Sequence, residues 1–444
     1  MKTILVLGAG KSATVLLEDL QVACMNHQWQ LIIADASLSL AESKITIPAV
    51  TRAVALNANA AEERMNLIRQ SDLVISLLPP SLHILVAKDC LDAGKHLLTA
   101  SYLDEEVKKL AISIKEKDLI FLYEMGLDPG IDHMSAMQLI EKIKIAGGRI
   151  KSFISHCGGL IAPESDTNPW HYKISWNPRN VVLAGKAGAV YLENGKQIQK
   201  RYTDIFKDNS SVDIRNLPTL SWYPNRDSVS YISLYQLEEA STFIRTTLRY
   251  TDFCMGWQHI VRLGLTDEND EALIRQCNTI KEWWEKKLSQ VENRALSFQM
   301  YLELYAKEEE HPTLLEQFSF LELDSEQQIP TGVTCSADLL QKILEEKLVL
   351  GKDDHDLIVM IHELIVEHNG LEKKIQSSLQ VKGTDTMHTA MAKTVGLPLS
   401  IAAQLILKNE ITLRGLRVPL MKEIYEPVME KLKEKGIVFE ETEN

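Results

Sequence analysis

The chain has no run of clustered lysine and arginine, no CxxC pair and no evident long apolar segment, and each absence removes a class of function. Its 48 Lys and Arg stand against 61 Asp and Glu, a formal net charge of −13. This argues against nucleic acid as a partner, because phosphate backbones are held by clustered cations. Any anionic substrate must be met by a few local cations. The six cysteines, at 24, 90, 157, 254, 277 and 335, fall at no metal-ligand spacing. They outline no disulfide framework, which is the pattern of reduced thiols in a cytoplasmic protein. The opening MKTILVLGAG is too short an apolar run for a signal peptide, and no stretch approaches a spanning helix, so no membrane is expected. His362-Glu363 brings no metal: the next histidine lies six residues on, where a zinc-binding helix needs four.

What the chain does have is enough apolar residues, 45% of 444, for substantial cores and two to three domains. Thr3–Leu7 has the length of a strand and runs into Gly8-Ala9-Gly10-Lys11-Ser12-Ala13, then a helical pattern. This GxGxxA between strand and helix is a dinucleotide fingerprint: its glycines let backbone approach a pyrophosphate resting on the helix N-terminus. A second apolar run, Leu31 to Ala34, ends in Asp35, where such a fold offers a carboxylate to the adenosine ribose. Like charge against a 2′-phosphate makes Asp35 favour NAD over NADP.

Helical patterns over residues 60–69, 81–93 and 104–117 alternate with strand patterns over 73–78, 96–99 and 119–123. Such alternation predicts a doubly wound parallel (Rossmann) sheet, α/β in class. Ligands bind beyond the carboxyl ends of its strands, which gathers Leu78-Pro79-Pro80, Ala100-Ser101-Tyr102 and residues 126–130 around one crevice.

Residues 124–176 are dense in Gly, Pro, Asp, His, Asn and Trp, types used where backbone shape and polar contact matter more than burial. That density marks a site, although each turn alone has a structural use. Beyond it, residues 181–190, 191–199 with Asn194-Gly195 as a turn, and 243–250 read as strands of a second, mixed α/β domain with a largely antiparallel sheet. That domain carries Arg226 in a turn-rich loop and Arg245 and Arg249 on one strand face. Residues 266–349 form an amphipathic helical insert with Trp283-Trp284 as core anchors. Asp356–His368 reads as strand, and the end is helical from Met387, with Gly396-Leu397-Pro398 as a break between helices.

In this order, LVISLLP, TASY, GLDPGIDH, CGGLIAPES with NP and YKISW, YPNRDS, TLRY and AMAKTVGLP resemble the saccharopine dehydrogenase family, glutamate-forming branch. The resemblance spans nearly the whole chain. It implies a dinucleotide domain over 1–127, onto which C-terminal helices can pack, a substrate and dimerisation domain over 128–265 and 350–444, and a helical insert over 266–349. It also implies NAD- or NADP-dependent oxidation of saccharopine to glutamate and 2-aminoadipate 6-semialdehyde, or the reverse, by a homodimer. Carried over residue by residue, it implies substrate contacts at Ser101, Tyr102, Asp128, Arg226, Thr247, Leu248 and Arg249. Dinucleotide contacts fall at Gly8, Gly10, Lys11, Ser12, Asp35, Leu56, Asn57, Leu77, Leu78, Asp128 and Trp176. Three carboxylates on the substrate call for guanidinium groups. Asp128, with Tyr102 and Cys157 in support, is the candidate for amine binding or proton transfer. Asp35 departs from the Arg or Ser/Thr of NADP-using fungal relatives. The rival readings are a carboxynorspermidine-type dehydrogenase, which should replace one substrate arginine by an acidic residue, and a dinucleotide-binding sensor without catalysis.

Overall fold

The computed structural model describes residues 1–207 and 210–443. Its contacts group the chain into two compact units, residues 1–151, 233–237 and 360–444 in the first and 152–232 and 238–359 in the second.

The first unit is built on seven parallel strands in the order Gly415–Arg417, Ile120–Leu122, His96–Thr99, Leu73–Ser76, Thr3–Leu7, Gln30–Asp35, Thr51–Ala55. Strand order reverses beside Thr3–Leu7, which places the ligand crevice at the carboxyl ends of that strand and Leu73–Ser76. Ile4 to Leu7 and Leu73 to Ile75 have no exposed surface, as expected where helices cover both faces of a sheet. The helix expected over 104–117 is two, Glu105–Lys108 and Ala111–Glu116, with Leu110 at the bend.

Two expectations fail on one element. The Gly396-Leu397-Pro398 segment does not separate a pair of helices; a single helix, Ala390–Leu407, runs through it with Pro398 inside. Proline in a helix interior costs about 3 kcal/mol. Full burial of a Leu or Ile returns about 1.5–3 kcal/mol each, and Leu397, Leu399, Ile401, Leu405 and Ile406 are all buried. Burial wins. A Cβ on Gly396 would lie 2.7 Å from the Leu16 backbone nitrogen, so this helix packs backbone to backbone against Thr14–His27. Ser400 reinforces the contact by donating to Asp19 at 2.6 Å. The same helix, 18 residues with mean hydropathy 1.5, is long and apolar enough to cross a bilayer, contrary to the expectation that no such segment exists. Here 83% of it is buried inside the protein.

The second sheet is mixed, with the path Ser210–Val212, Leu220–Pro224, Thr242–Tyr250, Arg149–Ile161, Asp356–His368, Leu371–Lys382, Glu440–Glu443. Thr242–Tyr250 runs parallel to Arg149–Ile161 and antiparallel to Leu220–Pro224. Asn194 and Gly195, at φ +49° and +75°, turn the hairpin Ala189–Glu193 and Lys196–Lys200, as the Asn-Gly pair predicts. The strand expected over 181–190 is absent before Ala189. Asn177 caps a short helix, Pro178–Val182, by accepting from Arg179 N–H, and glycines at 185 and 188 with positive φ turn the chain afterwards. The helices between residues 271 and 347 surround an aromatic core in which Trp283 is fully buried and donates to Ser336 Oγ at 2.7 Å.

His171 in the second unit lies 2.6 Å from Asp166 and 3.4 Å from Asp252. Its hydrogen bonds to Asp166 and Asp252 raise its pKa to about 10 against the effect of burial. A folded pKa above the unfolded value of about 6.5 adds stability that is complete below that pH and lost as pH rises through about 10. The urea midpoint of a His171→Asn variant is therefore expected to fall below wild type at pH 6 and to converge with it above pH 10. A gap independent of pH would show that the imidazolium contributes nothing.

Candidate functional site

Gly8 adopts φ +105°, and a Cβ there would lie 3.1 Å from Leu77 O, so glycine is required where the loop crosses the next strand. A Cβ on Gly10 would meet nothing within 4 Å. Lys11–Ala13 form a single 3-10 turn that leads into helix Thr14–His27. Among the described residues, the N–H groups of Gly10, Lys11 and Ser12 donate to nothing in the protein, while that of Ala9 is taken by Asp35 Oδ2 at 2.8 Å. Open space over Gly10, ringed by orphan donors at a helix start, fits a pyrophosphate. Asp35 closes Gln30–Asp35, and its Oδ1 accepts from Ser37 N–H at 2.9 Å. Leu56 N–H donates to Asp35 O, and Asn57 is held in a turn by its own side chain, which accepts from Asn59 N–H. Leu77 N–H donates to Leu7 O. Gly8, Gly10, Lys11, Ser12, Asp35, Leu56, Asn57, Leu77 and Leu78 thus share the carboxyl edge of four neighbouring strands.

On the same edge, Ser101 and Tyr102 follow strand His96–Thr99, and Asp128 follows Ile120–Leu122. Tyr102 OH donates to Asp128 Oδ1 at 3.0 Å, a direct contact between two of the chemical candidates. The loop that presents Asp128 is tightly built. Gly126 N–H donates to Pro129 O, Gly130 N–H donates to Asp132 Oδ1 at 2.6 Å, and Gly130 adopts φ +149°. Glu124, buried at φ +59°, accepts from Leu103 N–H and lies 2.9 Å from His133 Nε2, while His133 Nδ1 lies 2.6 Å from Tyr235 OH. This buried chain of side chains ties the Tyr102 loop to the helix after Asp128. The linear sequence carries no sign of this link, because a glutamate at positive φ leaves no signature in a residue pattern.

The second unit gathers the remaining candidates. Cys157, buried on Arg149–Ile161, lies opposite Thr247. A Cβ on Gly158 would sit 2.7 Å from Leu248 Cβ, so this glycine permits the close approach of the two strands. Arg249 is 5% exposed. Its Nη1 donates to Leu248 O at 2.7 Å, its guanidinium lies over the rings of Tyr172 (5.2 Å) and Phe253 (5.6 Å), and its Nε is buried with no partner. No carboxylate reaches it among the described residues. An arginine stays charged, and leaving such a charge buried without a counter-ion costs several kcal/mol. Trp176 belongs to this cluster through its indole N–H, which donates to Tyr172 OH at 2.8 Å. Arg226, by contrast, is exposed, at φ +53° on a two-residue strand beside Ala189 and Val190. Arg245 is buried under the Tyr231 ring at 4.7 Å.

Residues 4–122 match the saccharopine dehydrogenase NADP binding domain and residues 126–437 the saccharopine dehydrogenase C-terminal domain. The chain is 33% identical over 449 residues to the saccharopine dehydrogenase (NADP(+), L-glutamate-forming) of Schizosaccharomyces pombe, with 99% of each chain covered. It is 38% identical over 386 residues to the mitochondrial alpha-aminoadipic semialdehyde synthase of Rattus norvegicus. That match takes in 85% of this chain and 41% of the rat protein, so the chain spans about two-fifths of that relative's length. The solved structure of apo histidine-tagged saccharopine dehydrogenase (L-Glu forming) from Saccharomyces cerevisiae superposes with a TM-score of 0.87, at 30% identity, over 100% of both chains.

Proposed function

The chain belongs to the saccharopine dehydrogenase family, and on that premise we propose that it oxidises the secondary amine of saccharopine to an imine and hydrolyses the imine to L-glutamate and 2-aminoadipate 6-semialdehyde, or runs the reverse condensation. The observation that carries this reading is Arg249, a buried guanidinium with no carboxylate of its own, which suits a substrate that brings three. Thr247, Leu248 and Cys157 flank it, and Arg226 offers a second, exposed cation.

A nicotinamide dinucleotide on the glycine loop supplies the hydride acceptor. The protein's own tasks are to bind, orient and move protons. Hydride loss requires an unprotonated amine, and imine hydrolysis then requires a proton delivered to the departing nitrogen of glutamate. Asp128 accepts from Tyr102 OH and so is held at fixed orientation for either exchange. Atoms balance: saccharopine, water and oxidised cofactor give glutamate, semialdehyde, reduced cofactor and one proton.

The preferred cofactor in this proposal is NAD. Both oxygens of Asp35 accept backbone N–H groups, and Asp35 closes the second strand, where such a fold holds the adenosine ribose. Two unit charges at about 4 Å repel by on the order of 1–4 kcal/mol in a partly wet site, so at least about a fivefold preference for NAD is expected. Parallel assays of reduced-cofactor absorbance with saccharopine check it, and Asp35→Asn should narrow the ratio. Preference for NADP, the cofactor named for the fission yeast relative, would end the Asp35 argument and leave amine oxidation standing. No turnover with either would end both. A homodimer in the cytoplasm is part of the same proposal, testable by sedimentation and by imaging of the tagged chain.

A further inference from the structure

Behind Ser101 lies a buried imidazole. His83, on the helix Pro80–Ala93, is 2% exposed. Its Nδ1 lies 2.9 Å from Ser76 Oγ and its Nε2 lies 2.7 Å from Ser101 Oγ. Burial lowers its pKa to about 4, partly offset by Asp104, so the ring is neutral at any working pH. A neutral imidazole has one N–H and one lone pair, which gives a chain through it a direction. Ser76 is 1% exposed and ends a strand inside the parallel sheet, so the chain has no outlet for a proton. Ser101 is half-exposed on the crevice edge, and its own N–H is fixed by Thr99 Oγ1 at 3.2 Å.

A core histidine satisfied by packing would be the plain alternative. Such a residue has no need to reach a half-exposed loop serine with its outward nitrogen. We propose that His83 is a positioning residue: Ser76 O–H donates to Nδ1, Nε2–H donates to Ser101 Oγ, and the Ser101 O–H is thereby left to donate to a carboxylate of the substrate. This inference rests on the function proposed above. In an acidic chain whose cations must each be placed, a hydroxyl held as a donor adds an anion contact without adding charge.

The test is a double-mutant cycle on the full chain with steady-state kinetics. His83→Phe keeps the volume and removes both hydrogen bonds. It should raise KM for saccharopine about tenfold, the worth of one hydrogen bond to a charged group, and leave KM for the dinucleotide unchanged. Ser101→Ala should do the same, and the double variant should be no worse than Ser101→Ala alone, because His83 acts only through that hydroxyl. His83→Gln, whose amide can donate to Ser101, should recover most of the loss. Imidazole 15N NMR of the wild type should show the Nε2–H tautomer from pH 6 to pH 9. Additive effects, a wild-type KM in His83→Phe, or the Nδ1–H tautomer would overturn the inference while saccharopine turnover stands. Absence of turnover in the wild type would overturn the function and this inference with it.

Discussion

Replacing Arg249 with methionine is expected to lower kcat/KM for saccharopine by about 30- to 1,000-fold while leaving the fold and dinucleotide affinity intact. Removing one partner of a buried, hydrogen-bonded charge pair costs about 2–4 kcal/mol, and each 1.36 kcal/mol is about a factor of ten. Methionine fills much of the same space beside Tyr172 and Phe253. Without ligand, the guanidinium is buried with no counter-ion, so its loss should leave the unliganded melting temperature unchanged or higher. Added saccharopine should raise that temperature in the wild type and do so far less in the variant. Lysine should not rescue, because a point charge on a flexible stem neither lies flat over the rings nor bonds Leu248 O in the same way. A loss under about threefold in kcat/KM would remove Arg249 from the site, and a collapse of the fold would make its role structural.

The second large effect should come from a single methyl group at Gly130. Its φ is +149°, and a Cβ there would fall 2.0 Å from Gly126 O and 2.4 Å from Gly126 N and C. All three contacts are with backbone, which has no rotamer to yield. Gly130→Ala must therefore unmake the loop that presents Asp128 to Tyr102 and starts the helix Ile131–Ile145. A destabilisation of more than about 3 kcal/mol is expected, in the range reserved for steric conflict at a special backbone conformation, together with loss of turnover. Gly10→Ala provides the contrast: a Cβ there meets nothing within 4 Å, so its urea midpoint should match wild type while KM for the dinucleotide rises. Equal midpoints for Gly130→Ala and wild type would show that the loop can relax.

These contrasts indicate what the linear sequence could convey. The parallel sheet was legible because residues 4–7, 31–34 and 73–75 are buried on both faces and so must be apolar without interruption. The glycine loop and the 124–130 loop were legible at Gly8 and Gly130, where the backbone geometry admits only glycine. The continuity of Ala390–Leu407 was not, since local propensity at Gly396 and Pro398 opposes a helix that tertiary burial restores. The short helix at Pro178–Val182 was missed for a similar reason: β-branched valines read as strand until the Asn177-Pro178 start is seen to cap a helix. His83 was hidden for a different cause. Its partners lie seven residues before it and eighteen after it, in separate strands and loops, and only the sheet brings them together. Trp176 carried a role in the sequence, yet its attachment to Arg249 through Tyr172 is a feature of folded geometry alone.

Asp35 has a consequence for how cofactor choice can drift. Its carboxylate ties the glycine loop to the end of the second strand by accepting from Ala9 and Ser37 N–H. A one-step exchange to arginine would supply charge for a 2′-phosphate and in the same stroke strand two backbone donors and slacken the loop that grips the pyrophosphate. The exchange must then be accompanied, or preceded, by a neighbouring residue able to accept those N–H groups. A charge exchange at position 35 is thereby penalised as a single substitution, and lineages that make it should carry paired changes around positions 35 and 37.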